Sequence, residues 1–307
     1  MIAIRRKKVN WVRVLFLLCC TVIPLVHFCI FYIFVNINSF MMAFQQYEKG
    51  EMFWTIGNFT RFFDELANAD SELIEAIRNT CITFLINQIM FGLSILVSYF
   101  LYKKVFMYNV FRLCFFLPTL IAGTIVNSVF TQIVGVSGPI APIVQDMLGL
   151  EFIPTLLRDD RFANGVVFAN LIWLTFPGNM IILGGTFSRV PVSVLESGRL
   201  DGLNWFQEAV KVIIPVTWPT ISLLWILSIV GVFGASGNVF LLTKGEFGTQ
   251  TLSNWMYMQV YNSAGGNGES NALNYLSAVG MFFTFLSMIL FVVIRYFTNK
   301  AYADVQY

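Results

Sequence analysis

Charged residues are scarce in this chain of 307 residues, and their scarcity excludes an ordinary soluble protein. Asp, Glu, Lys and Arg make up 12% of the sequence and hydrophobic residues 57%, whereas soluble domains carry about 25% charged residues. The formal net charge is only +2, and the positive residues are spread over short loops. The composition therefore predicts an integral membrane protein and gives no indication of a nucleic-acid partner.

The groups that catalytic and metal sites require are also scarce. The single histidine, His27, lies inside an apolar segment, which leaves no basis for a Ser-His-Asp or Cys-His arrangement. The sequence contains no G-x-x-x-x-G-K-[S/T] stretch, so it has no P-loop for ATP hydrolysis. The five cysteines show neither metal nor disulfide spacing. We expect no enzyme activity, no metal and no bound cofactor, and we interpret His27 as a buried structural residue.

Six apolar segments are long enough to cross a membrane, since a spanning helix needs about 20 residues. They cover approximately residues 11–35, 80–101, 112–134, 163–185, 218–240 and 273–296. The first follows a basic cluster without a cleavage site, so we interpret it as a retained signal anchor. We expect Pro118 to kink the third segment, and a short helix near residues 140–149. The predicted fold class is an all-α integral membrane protein, with residues 1–307 forming a single six-helix transmembrane domain.

The distribution of charge predicts the orientation of the spans. If both termini are cytoplasmic, 13 of the 19 Lys and Arg residues lie inside, whereas 13 of the 17 acidic residues lie outside. This bias follows the positive-inside rule for a multi-pass protein of the cell membrane. It places the loop between the fourth and fifth spans in the cytoplasm.

That loop, residues 191–217, carries local signals for two short helices. Ser193 with Glu196 has the capping-box spacing, and Asn204 with Gln207 repeats it. Gly202 stands between the two pairs, where a glycine ends a helix most easily. We expect a helix, a bend and a second helix, which ends at Pro215 and Pro219. The second helix has an apolar face formed by Phe206, Val210, Ile213 and Ile214.

The same loop resembles the EAA loop of binding-protein-dependent ABC importer permeases. In that family Glu-Ala-Ala is followed after three residues by Gly, and after nine more by Ile-x-Leu-Pro. Glu196, Gly202 and Pro215 match at this spacing, while small residues replace both alanines. The resemblance implies a cytoplasmic coupling helix that contacts a separate ATPase subunit. The residues implied are Glu196, Ser197, Gly198, Arg199, Asp201 and Gly202.

Weaker similarities favour the carbohydrate-uptake branch of these permeases. They are GNFTRFFDE at 57–65 with IRNT at 77–80, the Trp173 and Pro177 pair, and the stretch that starts at Gly248. The alternative for Asn79 and Thr80 is that they only begin a helix. The family implies a second homologous permease, an ATPase dimer that uses ATP and Mg, and an extracellular solute-binding protein.

The interiors of the six spans contain no Asp, Glu, Lys or Arg. Ion- and proton-coupled carriers usually place such groups there, so their absence favours transport driven by another subunit. A neutral solute such as a sugar would instead contact amides and aromatic rings. The candidate pathway residues are Gln88, Asn127, Asn170, Trp173 and Asn238. For each of them a hydrogen bond between helices is the simpler explanation.

Two alternatives stay open from the sequence. The first is an ABC permease for another solute, such as a polyol phosphate, an amino acid or a peptide. The second is a self-sufficient carrier or channel, in which residues 191–217 only connect two spans.

Overall fold

The protein is almost entirely helical in the computed structural model, which describes residues 11–48, 50–234, 238–264 and 271–301. The α-helices in these residues are α1 Trp11–Phe28, α2 Val35–Ala43, α3 Gly57–Ala67, α4 Glu72–Tyr102, α5 Tyr108–Leu120, α6 Gly123–Val134, α7 Ile140–Leu148, α8 Ala163–Phe187, α9 Val192–Leu200, α10 Trp205–Glu208, α11 Ile214–Val230, α12 Val239–Leu242, α13 Leu252–Ala264 and α14 Ala272–Ala301. Two π-helical segments, Cys29–Phe34 and Ala209–Ile213, and a 3-10 turn, Gly231–Gly234, continue neighbouring helices. Two strands, β1 Gln45–Glu48 and β2 Glu51–Trp54, complete the structure.

Five helices are long and apolar enough to cross a membrane, and the count is six if α5 and α6 form one broken span. The fourth predicted span agrees closely with α8. The other spans are longer than predicted or broken. The chain divides into two compact units, residues 1–64 with 262–282, and residues 65–261 with 283–307.

In the first unit, a long helix leads into a small hairpin. The run Leu15–Ala43 is continuously helical, and none of its most apolar window is buried inside the chain. His27 is exposed as well, so the interpretation of a buried histidine is wrong. Its ring lies 4.7 Å from the ring of Phe31, one turn further along the helix. Because apolar side chains cover this helix on all sides, lipid or another chain must surround it.

The hairpin of β1 and β2 was not among the sequence predictions. Its strands are antiparallel, with Gln45 opposite Trp54 and Glu48 opposite Glu51. Asn58 fixes its base, because the buried amide donates to the carbonyls of Ala43 and Gln45 at 3.0 Å each. Asn58 thus has a structural role within the GNFTRFFDE stretch.

The second unit is built around α4, which begins earlier than predicted. Ser71 caps its first turn by accepting a hydrogen bond from the amide of Ile74, and Glu72 and Glu75 complement the positive end of the helix. At about 1.5 Å per residue, its 31 residues extend roughly 46 Å. Asn79 and Thr80 lie two turns inside this helix, so the alternative that they begin it is wrong.

The third predicted span is broken rather than kinked. α5 and α6 meet at 107°. The break lies at Ile121 and Ala122, which have extended backbone angles, and Pro118 stays inside α5. Proline removes a hydrogen bond from the last turns of α5, which weakens the helix just before it ends.

Candidate functional site

Helix α9, in the loop between the fourth and fifth predicted spans, has one buried and one exposed face. Leu195 is 6% exposed and packs with Phe187, Val190 and Ile213. Glu196 and Ser197 are exposed, and Leu200 is 89% exposed. A leucine so fully exposed beside a carboxylate suits a surface that another protein covers. Arg199 lies in the same helix, but its side chain is outside the described residues.

The bend after α9 depends on two glycines. Gly202 has φ +73°, which favours glycine, and Leu203 donates its backbone N–H to the carbonyl of Gly198 at 3.1 Å. A Cβ on Gly198 would lie 3.1 Å from Leu203 Cδ1 and 3.6 Å from Val212 Cγ2, so only a small residue fits. The predicted bend at Gly202 is confirmed.

Of the two predicted capping boxes, one is confirmed and one is wrong. Asn204 Oδ1 accepts from the backbone N–H of Gln207 at 2.8 Å, and Gln207 Oε1 accepts from that of Asn204 at 3.1 Å. In contrast, α9 begins at Val192, before Ser193. Ser193 therefore lies inside the first turn and cannot cap it, and the same holds for the capping role of Glu196.

The second helix of the loop does not end at the prolines, which corrects another prediction. Helical structure runs from Trp205 to Gly234 through both Pro215 and Pro219. A π-helical segment precedes Pro215, and in it the backbone N–H of Ile214 donates to the carbonyl of Ala209, five residues back. This wider turn lets the helix continue through Pro215, although proline has no backbone N–H to donate. The fifth span is thus a direct continuation of the loop.

The predicted apolar face of that second helix is split. Ile213 is 1% exposed, whereas Phe206 is 58% and Val210 40% exposed. Only Ile213, on the inner part of the face, packs into the hydrophobic core of the second unit. The outer part is free to meet lipid headgroups at a membrane surface.

Four residues fasten the loop to the C-terminal end of α4, and we name Tyr99, Lys103, Trp205 and Glu208 the elbow clamp. Lys103 Nζ lies 2.7 and 2.9 Å from the two carboxylate oxygens of Glu208. The Glu208 side chain is 4% exposed and that of Lys103 25%. The Tyr99 hydroxyl donates to the backbone carbonyl of Trp205 at 2.8 Å. These contacts tie the start of the fifth span to the C-terminal end of α4.

Four of the five candidate pathway residues take part in side-chain contacts between helices or with a neighbouring segment. Gln88 accepts from Trp225 Nε1 at 2.8 Å and donates to Ser228 at 3.3 Å. Asn170 accepts from the Asn238 amide at 2.9 Å. The ring of Trp173, on α8, stacks on that of Phe130, on α6, at 5.9 Å.

Two of the five candidate pathway residues are buried amides that keep an atom without a partner in the described structure. Asn127 is 2% exposed and donates to the carbonyl of Gly123 at 2.8 Å, but its Oδ1 accepts nothing. Asn170 is fully buried, and its Nδ2 donates to nothing. A buried amide atom without a hydrogen bond costs about 1–3 kcal/mol. Both atoms are therefore left unsatisfied by the residues that the structure describes.

The N-terminal end of α4 holds a second set of contacts, the loop staple, formed by Asn79, Thr80, Gly248, Gln250 and Leu252. Asn79 Nδ2 donates to the carbonyls of Gly248 and Gln250 at 2.8 and 2.9 Å. Leu252 N–H donates to the Thr80 hydroxyl at 2.9 Å. The staple joins two stretches that the sequence comparison treated separately, 77–80 and the one that starts at Gly248.

Sequence reasoning did not single out Lys103, Glu208 or Tyr99. Lys103 counted only as one of several basic residues at a predicted cytoplasmic end. Its partner lies 105 positions further along. No local pattern signals that pairing.

Several known proteins are similar to this chain, although no family model matches it. The multiple sugar-binding transport system permease protein MsmF of Streptococcus mutans is 27% identical over 73% of this chain and 73% of its own length. The arabinooligosaccharides transport system permease protein AraP of Bacillus subtilis is 24% identical over 78% of this chain and 77% of its own.

The chain is related to the permeases of carbohydrate-uptake ABC importers. Its fold matches that of a chain in a bacterial ABC transporter. A crystal structure of a bacterial alginate ABC transporter, in complex with alginate pentasaccharide-bound periplasmic protein, matches with a TM-score of 0.75 at 18% identity. The match covers 94% of this chain and 96% of the alginate transporter chain.

Proposed function

We propose that this chain is the transmembrane permease subunit of an ATP-driven importer of a sugar or oligosaccharide. The observation that carries the proposal is the combination of an exposed α9 face with a firmly anchored loop, in a chain related to sugar permeases. A loop that merely connected two spans would need neither the part-buried ion pair of the elbow clamp nor a leucine, Leu200, that is 89% exposed. The solute would be delivered by an extracellular solute-binding protein and moved by alternating access.

The proposed assembly lies in the cell membrane and contains this chain, a second homologous permease and two ATPase subunits. An extracellular solute-binding protein docks to it from outside. This chain binds no cofactor, and ATP and Mg act in the ATPase. Residues 1–307 form one permease domain with six spans, of which α5 and α6 together make the third. Both termini lie in the cytoplasm, where the loop meets the ATPase.

The proposed coupling surface consists of Glu196, Ser197, Gly198, Arg199, Asp201 and Gly202. Glu196 presents a carboxylate to a basic residue of the ATPase, since it does not cap its own helix. Gly198 and Gly202 set the close packing and the bend. When ATP closes the ATPase dimer, α9 is displaced, and the elbow clamp passes this motion to α4 and to the fifth span.

The proposed solute pathway uses the buried amides. Asn127 Oδ1 and Asn170 Nδ2 lack partners in the described structure, so one sugar hydroxyl would donate to Asn127 Oδ1 and a sugar oxygen would accept from Asn170 Nδ2. Trp173 is 39% exposed and offers an aromatic face. Gln88 and Asn238 act one step away, by fixing Trp225 and Asn170.

A pull-down of the tagged full chain from its native membranes tests the proposal. Wild type should retain a Walker-type ATPase and a second six-span protein, and Glu196→Arg should lose the ATPase while staying in the membrane. Glu151→Arg is the matched control, because it makes the same charge change at an exposed site outside the loop. If the wild-type chain purifies alone and transports solute without ATPase in liposomes, it is a self-sufficient carrier and the proposal is wrong.

A further inference from the structure

A cavity at the junction of α4, α5 and α8 collects polar groups that the transport site does not use. Its volume is about 170 Å³. The polar side chains that line it come from three segments: Ser98, Tyr102 and Lys104 from the end of α4, Tyr108 and Arg112 from α5, and Ser188 after α8. Every residue of the cavity belongs to the second unit.

The cavity is positively charged. Lys104 and Arg112 line it, and the described lining includes no acidic residue. Neither cation has an ion-pair partner among the residues that the structure describes. The Arg112 guanidinium instead lies 5.7 Å from the centre of the Phe116 ring, another residue of the lining. Two unneutralised cations facing one cavity attract an anion.

A buried hydroxyl independently points to a ligand. Ser98 is 1% exposed, and its Oγ has no hydrogen-bond partner in the described structure. A serine inside a helix usually bonds the carbonyl one turn before, as Ser94 of the same helix does to Phe91 at 2.7 Å. The unpaired Ser98 hydroxyl is available to donate into the cavity, beside the phenol of Tyr108.

These groups match a phosphate better than a carboxylate or a sugar. A phosphate offers several acceptor oxygens, which can receive charge-assisted bonds from Arg and Lys and further bonds from hydroxyls. A neutral sugar would not require two cations.

The remaining lining indicates that the phosphate belongs to a lipid. Leu101, Phe116 and Met180 form the apolar part of the cavity. Leu113 and Leu117 are 63% and 50% exposed, so the apolar surface continues along α5, the first part of the third predicted span. Basic pockets between such helices at a membrane surface bind anionic headgroups.

We propose that the cavity lined by Ser98, Lys104, Tyr108 and Arg112 binds the phosphate of an anionic phospholipid headgroup. The lipid would fill the gap between the turn after α4 and the start of α5. Because Lys104 directly follows Lys103 of the elbow clamp, an occupied site would steady that turn. The site does not depend on the solute or on the ATPase.

Native mass spectrometry of the full chain tests this proposal, with phosphatidylglycerol or phosphatidylcholine added to the detergent-purified protein. Wild type should bind phosphatidylglycerol in preference to phosphatidylcholine. Lys104→Gln with Arg112→Gln should weaken that binding by at least about tenfold, and Ser98→Ala by roughly threefold. Arg189→Gln with Lys211→Gln removes the same charge from exposed positions outside the cavity and should leave binding unchanged.

Three results would overturn the proposal. Equal weakening in the control variant would mean a general surface attraction. Unchanged binding in the variant Lys104→Gln with Arg112→Gln would mean that the lipid does not bind in this cavity. Inorganic phosphate at matched ionic strength that displaces the lipid completely would mean a soluble anion is the ligand. If the double variant does not fold, Lys104→Arg with Arg112→Lys keeps both charges and must keep the preference for phosphatidylglycerol.

Discussion

The two ends of α4 fasten neighbouring loops in chemically different ways. The loop staple at the N-terminal end uses only neutral groups, with Asn79 and Thr80 bonding backbone atoms. The elbow clamp at the C-terminal end uses an ion pair, in which the Glu208 carboxylate is buried and Lys103 is partly exposed. A neutral staple loses stability in proportion to the bonds removed, whereas an ion pair fails as a unit when one partner is lost. We therefore expect the attachment at the clamp to be more sensitive to the loss of one side chain than the attachment at the staple.

The largest effect on stability should come from breaking the clamp on one side. Lys103→Met leaves the Glu208 carboxylate buried without its cation and should lower the free energy of unfolding by about 3 kcal/mol. Lys103→Met with Glu208→Met should recover most of this loss, because two apolar residues pack without a charge to solvate. Unfolding in mixed SDS micelles measures both. Equal losses in the single and double variants would show that packing, rather than charge, holds the clamp.

Breaking the staple should cost less. Asn79→Leu removes the donor to two carbonyls and should destabilise the protein by about 2 kcal/mol. Thr80→Ser is the mild control, since it keeps the hydroxyl that accepts from Leu252. In Asn79→Leu, uptake per folded protein and the number of ATP molecules hydrolysed per solute imported should stay at wild-type values. A change in the ATP hydrolysed per solute would show that the staple, like the clamp, takes part in coupling.

The bend between α9 and α10 should show a smaller effect. Gly202→Ala forces a Cβ into a left-handed conformation and should cost about 1 kcal/mol, and Gly202→Asn less. The same unfolding titration measures the difference. If Gly202→Ala is as stable as wild type, the bend does not require the left-handed conformation, φ +73°, at this position.

The smallest effect on stability belongs to the exposed face of α9. Glu196→Arg should change the free energy of unfolding by less than about 0.5 kcal/mol, because the side chain is exposed. Its effect should appear in coupling instead, as lost uptake in reconstituted complexes with the protein still inserted. Normal uptake would separate Glu196 from the coupling surface.

Local chemistry decided which features could be predicted from the sequence. The capping box of Asn204 and Gln207 and the bend at Gly202 need only neighbouring residues. The capping box of Ser193 failed because α9 begins at Val192, and the stop at Pro215 failed because a π-helical segment precedes it. The start of α4 was set too late because Ser71, outside the apolar run, caps the helix.

The contacts of the candidate site were less predictable. Residues such as Gln88 and Asn170 stood out because amides are rare in apolar spans, but their partners, Trp225 and Asn238, depend on how helices and segments pack. The pairing of Lys103 with Glu208 crosses 105 positions and leaves no local pattern. Sequence thus indicated which polar groups are unusual, and the structure was needed to show what each one holds.

We propose that the elbow clamp transmits motion from α9 to α4. The most direct test of this proposal is the ATP hydrolysed per solute imported in reconstituted complexes carrying Lys103→Glu, Glu208→Lys or both. We expect more ATP hydrolysed per solute in each single variant. In the double variant, which rebuilds the ion pair with reversed charges, the value should return close to that of wild type. Single variants that keep the wild-type ratio, and lose uptake only as folded protein is lost, would contradict it.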